Sequence, residues 1–212
     1  PKVAPLPVTG MKGQFRFLRK PAPWLIYAGV FFGQASVYCW LSYIEPIMTR
    51  VTGFTTADMT WIMMLAGLGM VVGNALSGHL ADRYGVARVT AWIAASLIIV
   101  MPLLYLLSGS KVASLPLMFI ATASLFGIGG PLQFLIVRYA TGGEMLGGAG
   151  IQIAFNVSNA ISAAVGGLVI HLGLGLASPA LVGVPFAAIG SLALFTLWRR
   201  YDRGRSLPSQ GD

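Results

Sequence analysis

Apolar residues in this chain neither alternate nor recur in narrow stripes. They run on, in six stretches separated by polar and turn-forming residues. The stretches are Trp24–Tyr43, Met59–Leu80, Val89–Leu107, Val112–Val137, Met145–Leu172 and Pro179–Trp198, and none contains Asp, Glu, Lys or Arg. At about 1.5 Å per helical residue, each covers or nearly covers the roughly 30 Å hydrocarbon core of a bilayer. A backbone crossing lipid must satisfy its own hydrogen bonds, so the pattern predicts an all-α membrane protein with six transmembrane helices.

Polar residues at the edges of the stretches predict where helices start. Thr55-Thr56-Ala57-Asp58 and Thr141-Gly142-Gly143-Glu144 fit the capping box that satisfies orphan amides, before the second and fifth spans. Ser178-Pro179 reads as cap and first-turn proline of the sixth. Pro46, Pro102, Pro116, Pro131 and Pro185 lie inside or beside spans, where kinks are expected. The run Gly127-Ile128-Gly129-Gly130-Pro131 is the clearest candidate for a broken helix.

Charge adds an orientation. Of the 14 Lys and Arg, all but Arg50 and Lys111 fall in the two terminal segments and in the second and fourth connections. The positive-inside rule then places both termini in the cytoplasm. Residues 1–22 read as a basic, Pro-rich cytoplasmic linker, 23–200 as the helical bundle and 201–212 as a cytoplasmic tail. The linker resembles a connection between domains, so a preceding segment is expected. Within it, Phe15, Phe17 and Leu18 interleave with Arg16, Arg19 and Lys20, and a solvated linker is favoured over an interfacial helix. A net charge of +8 could suit nucleic acid, but the cations sit at span ends without a nucleic-acid-binding motif, and anionic lipid headgroups suit them better. Cys39 lies inside the first span and is assigned a packing role.

Candidate chemistry lies where polar groups enter the apolar spans, because amides there need a partner or water. Gln34 is in the first span, Asn74 in the second, Gln133 in the fourth, and Gln152, Asn156 and Asn159 in the fifth, while the third and sixth have neither Asn nor Gln. Spans one, two, four and five are therefore expected to face inward, and three and six outward. Two inward and one outward, repeated once, suggests two three-helix units related as inverted repeats. Gln152, Asn156 and Asn159 share a helical face, as do Gln34, Tyr38, Ser42 and Glu45, so these residues are candidates for a solute cavity. Interhelical amide bonding is the alternative.

Gly69, Gly73 and Ser77, and Gly147, Gly150, Ala154 and Ser158, make small-residue faces for close helix packing. Trp24, Trp40, Trp61, Trp92 and Trp198 read as interface anchors. Met63, Met64 and Met70 read as filler.

Gly78-His79-Leu80-Ala81-Asp82-Arg83-Tyr84-Gly85-Val86-Ala87-Arg88, at the end of the second span, resembles the G-x-L-a-D-r-x-G-r-k signature loop of the major facilitator superfamily in its carboxyl-half copy. Val86 replaces a usual basic residue. The likeness runs from FRFLRKPAPW through GGAGIQIAFNVSNA and points to the arabinose-efflux-permease-like members of the drug:proton antiporter branch. It implies a twelve-span transporter of the bacterial inner membrane, of which this chain is the carboxyl-terminal six-helix half. It also implies a gating network in which Asp82, near the start of the fifth span, pairs with Arg138, with Gly78, Arg83, Gly85, Arg88 and Glu144 around it. Proton-coupled efflux of a sugar or a small drug-like solute would follow. No span carries a carboxylate except Glu45 at a rim, so the proton-carrying acid is expected in the amino half. A cavity of amides and tyrosine without fixed charge suits a neutral or weakly polar solute.

Two other classes compete with this reading. An intramembrane serine protease would need Ser77 and His79 as a pair, yet positions two apart on a helix point about 200° around it, onto opposite faces. A self-associating six-span scaffold or channel subunit would use the glycine faces as oligomer contacts. Histidine boxes and a phosphate-binding glycine loop followed by Lys are absent from the sequence, and no metal or cofactor is expected.

Overall fold

Helix starts are set by proline and by side-chain caps. Pro21 and Pro23 open the first helix, where a missing amide costs nothing. Thr55 and Asp58 close a reciprocal capping box before the second. The computed structural model describes residues 15–202. Its long helices are α1 Pro21–Leu41, α2 Met59–Tyr84, α3 Val86–Leu106, α4 Lys111–Tyr139, α5 Glu144–His171 and α6 Pro179–Leu197. All six are long and apolar enough to cross a membrane.

Several boundary expectations change. Ser178 does not cap α6 with its side chain; its hydroxyl donates back to the Gly175 carbonyl at 2.7 Å. Thr141 makes no box with Glu144, whose carboxylate instead accepts from the Gly142 amide at 2.8 Å. Ser110 caps α4, accepting from the Ala113 amide at 3.4 Å. The segment before α1 is folded from Phe15 onward: Arg16–Arg19 make a 3-10 turn with Phe17 buried beneath it. The Trp24 indole donates to the Leu18 carbonyl at 2.8 Å. Residues 1–14 of the expected linker and 203–212 of the expected tail, with Lys2, Lys12, Arg203 and Arg205, lie outside the described residues.

Helix α4 is continuous through Gly127–Pro131, where a break was expected. Pro131 removes a single ladder bond, and the surrounding glycines are packed on both sides, Gly127 against Ile93 and Ser77, and Gly129 and Gly130 against the amides of α1 and α2.

Packing follows an exchange of halves. α2 packs chiefly on α4, and its counterpart α5 on α1; α6 packs on α1, and its counterpart α3 on α4; α3 meets α6, and α1 meets α4. Swapping α1–α3 with α4–α6 leaves this list unchanged. Each unit has three spans, so the second starts from the opposite face, which makes the two units inverted repeats.

The core between them holds Ile26, Val30, Leu97, Met101, Leu125, Ile128, Leu132 and Leu194, all fully buried. Trp40 joins it at 1% exposure, so it is a core residue rather than an interface anchor; Trp24, Trp61 and Trp92 are exposed. Cys39 is buried, as a packing role requires.

α1, α2, α4 and α5 bring their amides to one cleft that α3 and α6 do not line, but the share of each helix that is buried follows a different order. α2 and α5 bury the smallest share of their residues, and α3 and α6 bury more. Amide-poor helices pack readily on apolar neighbours, whereas the amide-bearing faces of α2 and α5 stay open. α5 is tied to α1 and the turn that follows it by hydrogen bonds to main-chain carbonyls: Tyr27 to Gly147 at 3.2 Å, Tyr43 in that turn to Ala163 at 2.7 Å, and Ser158 to Phe31 at 2.7 Å. Removing one donor, as in Tyr43→Phe, should lower stability by about 1 kcal/mol, read as a shifted denaturation midpoint.

Candidate functional site

Gln34 on α1, Asn74 on α2, Gln133 on α4 and Gln152 on α5 line one cleft of about 330 Å³, together with Phe126, Gly129, Gly130, Ile151 and Phe155. The glycines make it. A Cβ on Gly129 would meet Nε2 of Gln34, and one on Gly130 would meet Oδ1 of Asn74. Gln34 is buried, and among the described residues its Oε1 is the one buried side-chain polar atom without a hydrogen-bond partner. An amide acceptor left unpaired in an apolar span is costly, so its place on the cleft wall is informative.

Of the seven predicted cavity residues, these four converge and three do not. Tyr38 packs edge-on against the lining residue Phe155 at 5.6 Å but is not itself part of the lining. Asn156 is exposed, its amide donating to the Gln152 carbonyl at 2.8 Å. Asn159 lies farther along α5, beyond the cleft lining. A shared helical face is not a shared depth, since seven residues climb about 10 Å. Phe126, Phe155 and the two glycines were not foreseen. The Gly-Gly-Pro run was visible in the sequence, yet it makes room rather than a break.

A second cleft, of about 530 Å³, opens at the end of the bundle shared by the two terminal segments. Gly78, Asp82, Gly85, Arg138 and Asp202 line it. The predicted signature loop is mostly helix: α2 runs through Asp82 and Arg83 to Tyr84, and α3 restarts at Val86. Gly85 alone joins them, at φ 92, a conformation that side chains other than glycine strain to adopt. Asp82 and Arg138 share the cleft, but no ion pair within 4 Å joins them among the described residues. Asp82 stands against the end of α4, not at the start of α5; Glu144 is occupied at the start of its own helix. Arg83 and Arg88 turn to aromatic faces instead, over Tyr84 and Trp198, each at 5.4 Å.

Asp202 was missed. It lies on the π-helical turn Trp198–Asp202 that continues α6, and its carboxylate accepts from the Ala87 amide in the first turn of α3 at 3.4 Å. Tyr139 fastens the same turn by donating to the Tyr201 carbonyl at 3.2 Å. The signal was present: Gly85-Val86-Ala87 offers no side-chain acceptor, so the orphan amides of α3 need one from elsewhere. The protease pair fails, since the buried Ser77 hydroxyl donates to the Asn74 carbonyl at 3.1 Å and His79 is exposed.

The family model described as Major Facilitator Superfamily matches residues 14–212. The chain belongs to that superfamily. Its members are transporters, not enzymes. The chain is 45% identical over 193 residues to AraJ of Escherichia coli (strain K12), covering 90% of this chain and 49% of that protein. It is 26% identical over 185 residues to a Helicobacter pylori protein named "Probable sugar efflux transporter", covering 87% and 45%. A bacterial homologue of the human lysosomal transporter Spinster, solved inward-facing and unoccupied, superposes with a TM-score of 0.66 at 19% identity, covering 99% of this chain and 54% of that one. That likeness supports the six-helix fold alone. The chain spans about half the length of the curated relatives it matches.

Proposed function

We propose that this chain forms the carboxyl-side half of an alternating-access transporter that exports a neutral, weakly polar solute, a sugar or a small drug-like molecule, across the bacterial inner membrane. One observation carries the reading: amides from four helices meet in one cleft whose wall holds no Lys, Arg, His, Asp or Glu. Amides offer donors and acceptors to hydroxyl and carbonyl groups, and the Gln34 side chain, whose buried Oε1 has no protein partner, stands on the wall of this cleft. Phe126 and Phe155 add apolar faces, as solute sites commonly do.

Proton coupling belongs to the same proposal. The described carboxylates Glu45, Asp58, Asp82, Glu144 and Asp202 all sit at helix ends, so the coupling acid is assigned to a part of the transporter outside these residues. Both chain ends face the cytoplasm in this reading, where Asp82, Arg138 and Asp202 close the second cleft in one state and release it in the other. Asp82→Asn in the full-length transporter should shift the balance of states. Cysteine labelling from the two sides of the membrane reads it, and unchanged accessibility on both sides would refute the latch.

Counterflow of labelled neutral sugars, arabinose first, in vesicles holding the full-length transporter tests the cleft. Gln34→Leu combined with Gln152→Leu should abolish counterflow while the protein remains in the membrane. Full transport by that double variant would rule out this cleft as the solute site.

A further inference from the structure

A groove of about 470 Å³ runs between the last turns of α2 and the first three turns of α3, on a flank that neither cleft uses. Leu80 and Tyr84 form one wall; Arg88, Trp92, Ile93 and Ser96 form the other. Arg88, Trp92 and Ser96 are spaced by four and make one line along α3, a cation at the span's end, then an indole, then a small residue. Trp92 is 60% exposed. It is also steadied, packing edge-on against Phe195 of α6 at 5.3 Å, while Arg88 is held over Trp198.

We infer that this groove binds one anionic phospholipid, with its phosphate at Arg88 and an acyl chain along Trp92 and Ile93. Charge favours that occupant. Arg16, Arg19, Lys20, Arg83, Arg138, Arg199 and Arg200 lie at the same end of the helices, against the carboxylates Asp82, Glu144 and Asp202. Asp82 and Asp202 line the neighbouring cleft instead, and Asp202 is engaged with the Ala87 amide. A soluble phosphate would use the arginine but leave the aromatic and apolar wall uncovered. A zwitterionic lipid would cover the wall and bring no net charge to the arginine. Arginine holds phosphate through a planar fork, and each basic residue near a membrane surface contributes about 1 kcal/mol toward anionic lipid.

Native mass spectrometry of the purified full-length transporter decides the matter, with phosphatidylglycerol and phosphatidylcholine of matched acyl chains as probes. Phosphatidylglycerol should be retained as one preferred adduct, and Arg88→Gln should weaken it by about fivefold. Ser96→Trp fills the groove without removing a contact of the fold, because the Ser96 hydroxyl bonds only the Ile93 carbonyl of its own helix, at 2.7 Å. It should reduce the adduct as well, and it keeps the test open if Arg88→Gln disturbs Trp198. Lys111→Gln, at the opposite end of the bundle, should leave retention unchanged. Equal retention of the two lipids, or full retention in Ser96→Trp, would overturn the site.

Discussion

Gly73→Val should prevent the bundle from assembling. A Cβ at Gly73 would fall on the carbonyl of Ala123 in α4, a backbone neighbour that no rotamer change can move. α2 and α4 are the most extensively packed pair of helices, so the displacement would have to separate the two three-helix units where they join. Overpacking a close-fitted contact usually costs about 1–3 kcal/mol, and a main-chain clash sits at the upper end or beyond. The measurement is the yield of monodisperse protein after detergent extraction, with its melting temperature. Gly78→Val is the control, because nothing lies within 4 Å of a Cβ there. Equal yields from the two variants would show that the α2–α4 contact is not as close as described.

Gly130→Ala should do the reverse, sparing the fold and damaging transport. The added methyl would meet Asn74 Oδ1, the far end of a side chain that can swing away. Swinging it removes one hydrogen-bonding group from the cleft, and the cleft also loses volume. Loss of one such contact, roughly 1.4 kcal/mol, is about tenfold in solute affinity. Counterflow with the full-length protein should therefore show a raised KM at an unchanged melting temperature. A melting temperature that falls with unaltered transport would mean that Gly130 serves packing and that the solute binds elsewhere. The two substitutions separate fold from site because one glycine abuts backbone and the other abuts an amide.

The same distinction explains what could be read from the sequence. The six helices were legible because uncharged stretches of this length have few alternatives in water, and their ends shifted by only a few residues. That Gln34, Asn74, Gln133 and Gln152 line one cleft was legible because amides are conspicuous in an apolar span. Depth along a helix was not, which is why Asn159 shares the face of Gln152 but falls outside the cleft; Asn156, next to the lining residue Phe155, turns its amide back to the Gln152 main-chain carbonyl instead. Nor could the sequence rank the helices by burial. Coverage depends on neighbours, so α3 and α6, bare of amides, bury more than the amide-bearing α2 and α5. Trp40 shows a related limit: its position near a span end suggested an anchor, while its neighbours enclose it. Asp202 reaches Ala87 across 115 positions, and only the lack of a cap at Gly85 hinted that some distant carboxylate was needed.

The attachment of α5 to α1 bears on how specificity could diversify. Two of its three ties use α5 only as a carbonyl, at Gly147 and Ala163, and every residue type supplies a carbonyl. Ile151, Gln152 and Phe155, the α5 residues that meet the cleft, lie between those fixed points and hold none of the three hydrogen bonds; Ile151 is buried and Phe155 packs on Tyr38, which leaves Gln152 exposed and free of such packing. On the proposed function, drift at Gln152 would alter which molecule is accepted while the helix stays moored, so new substrate preferences could arise by single codon changes without a compensating repair of the scaffold.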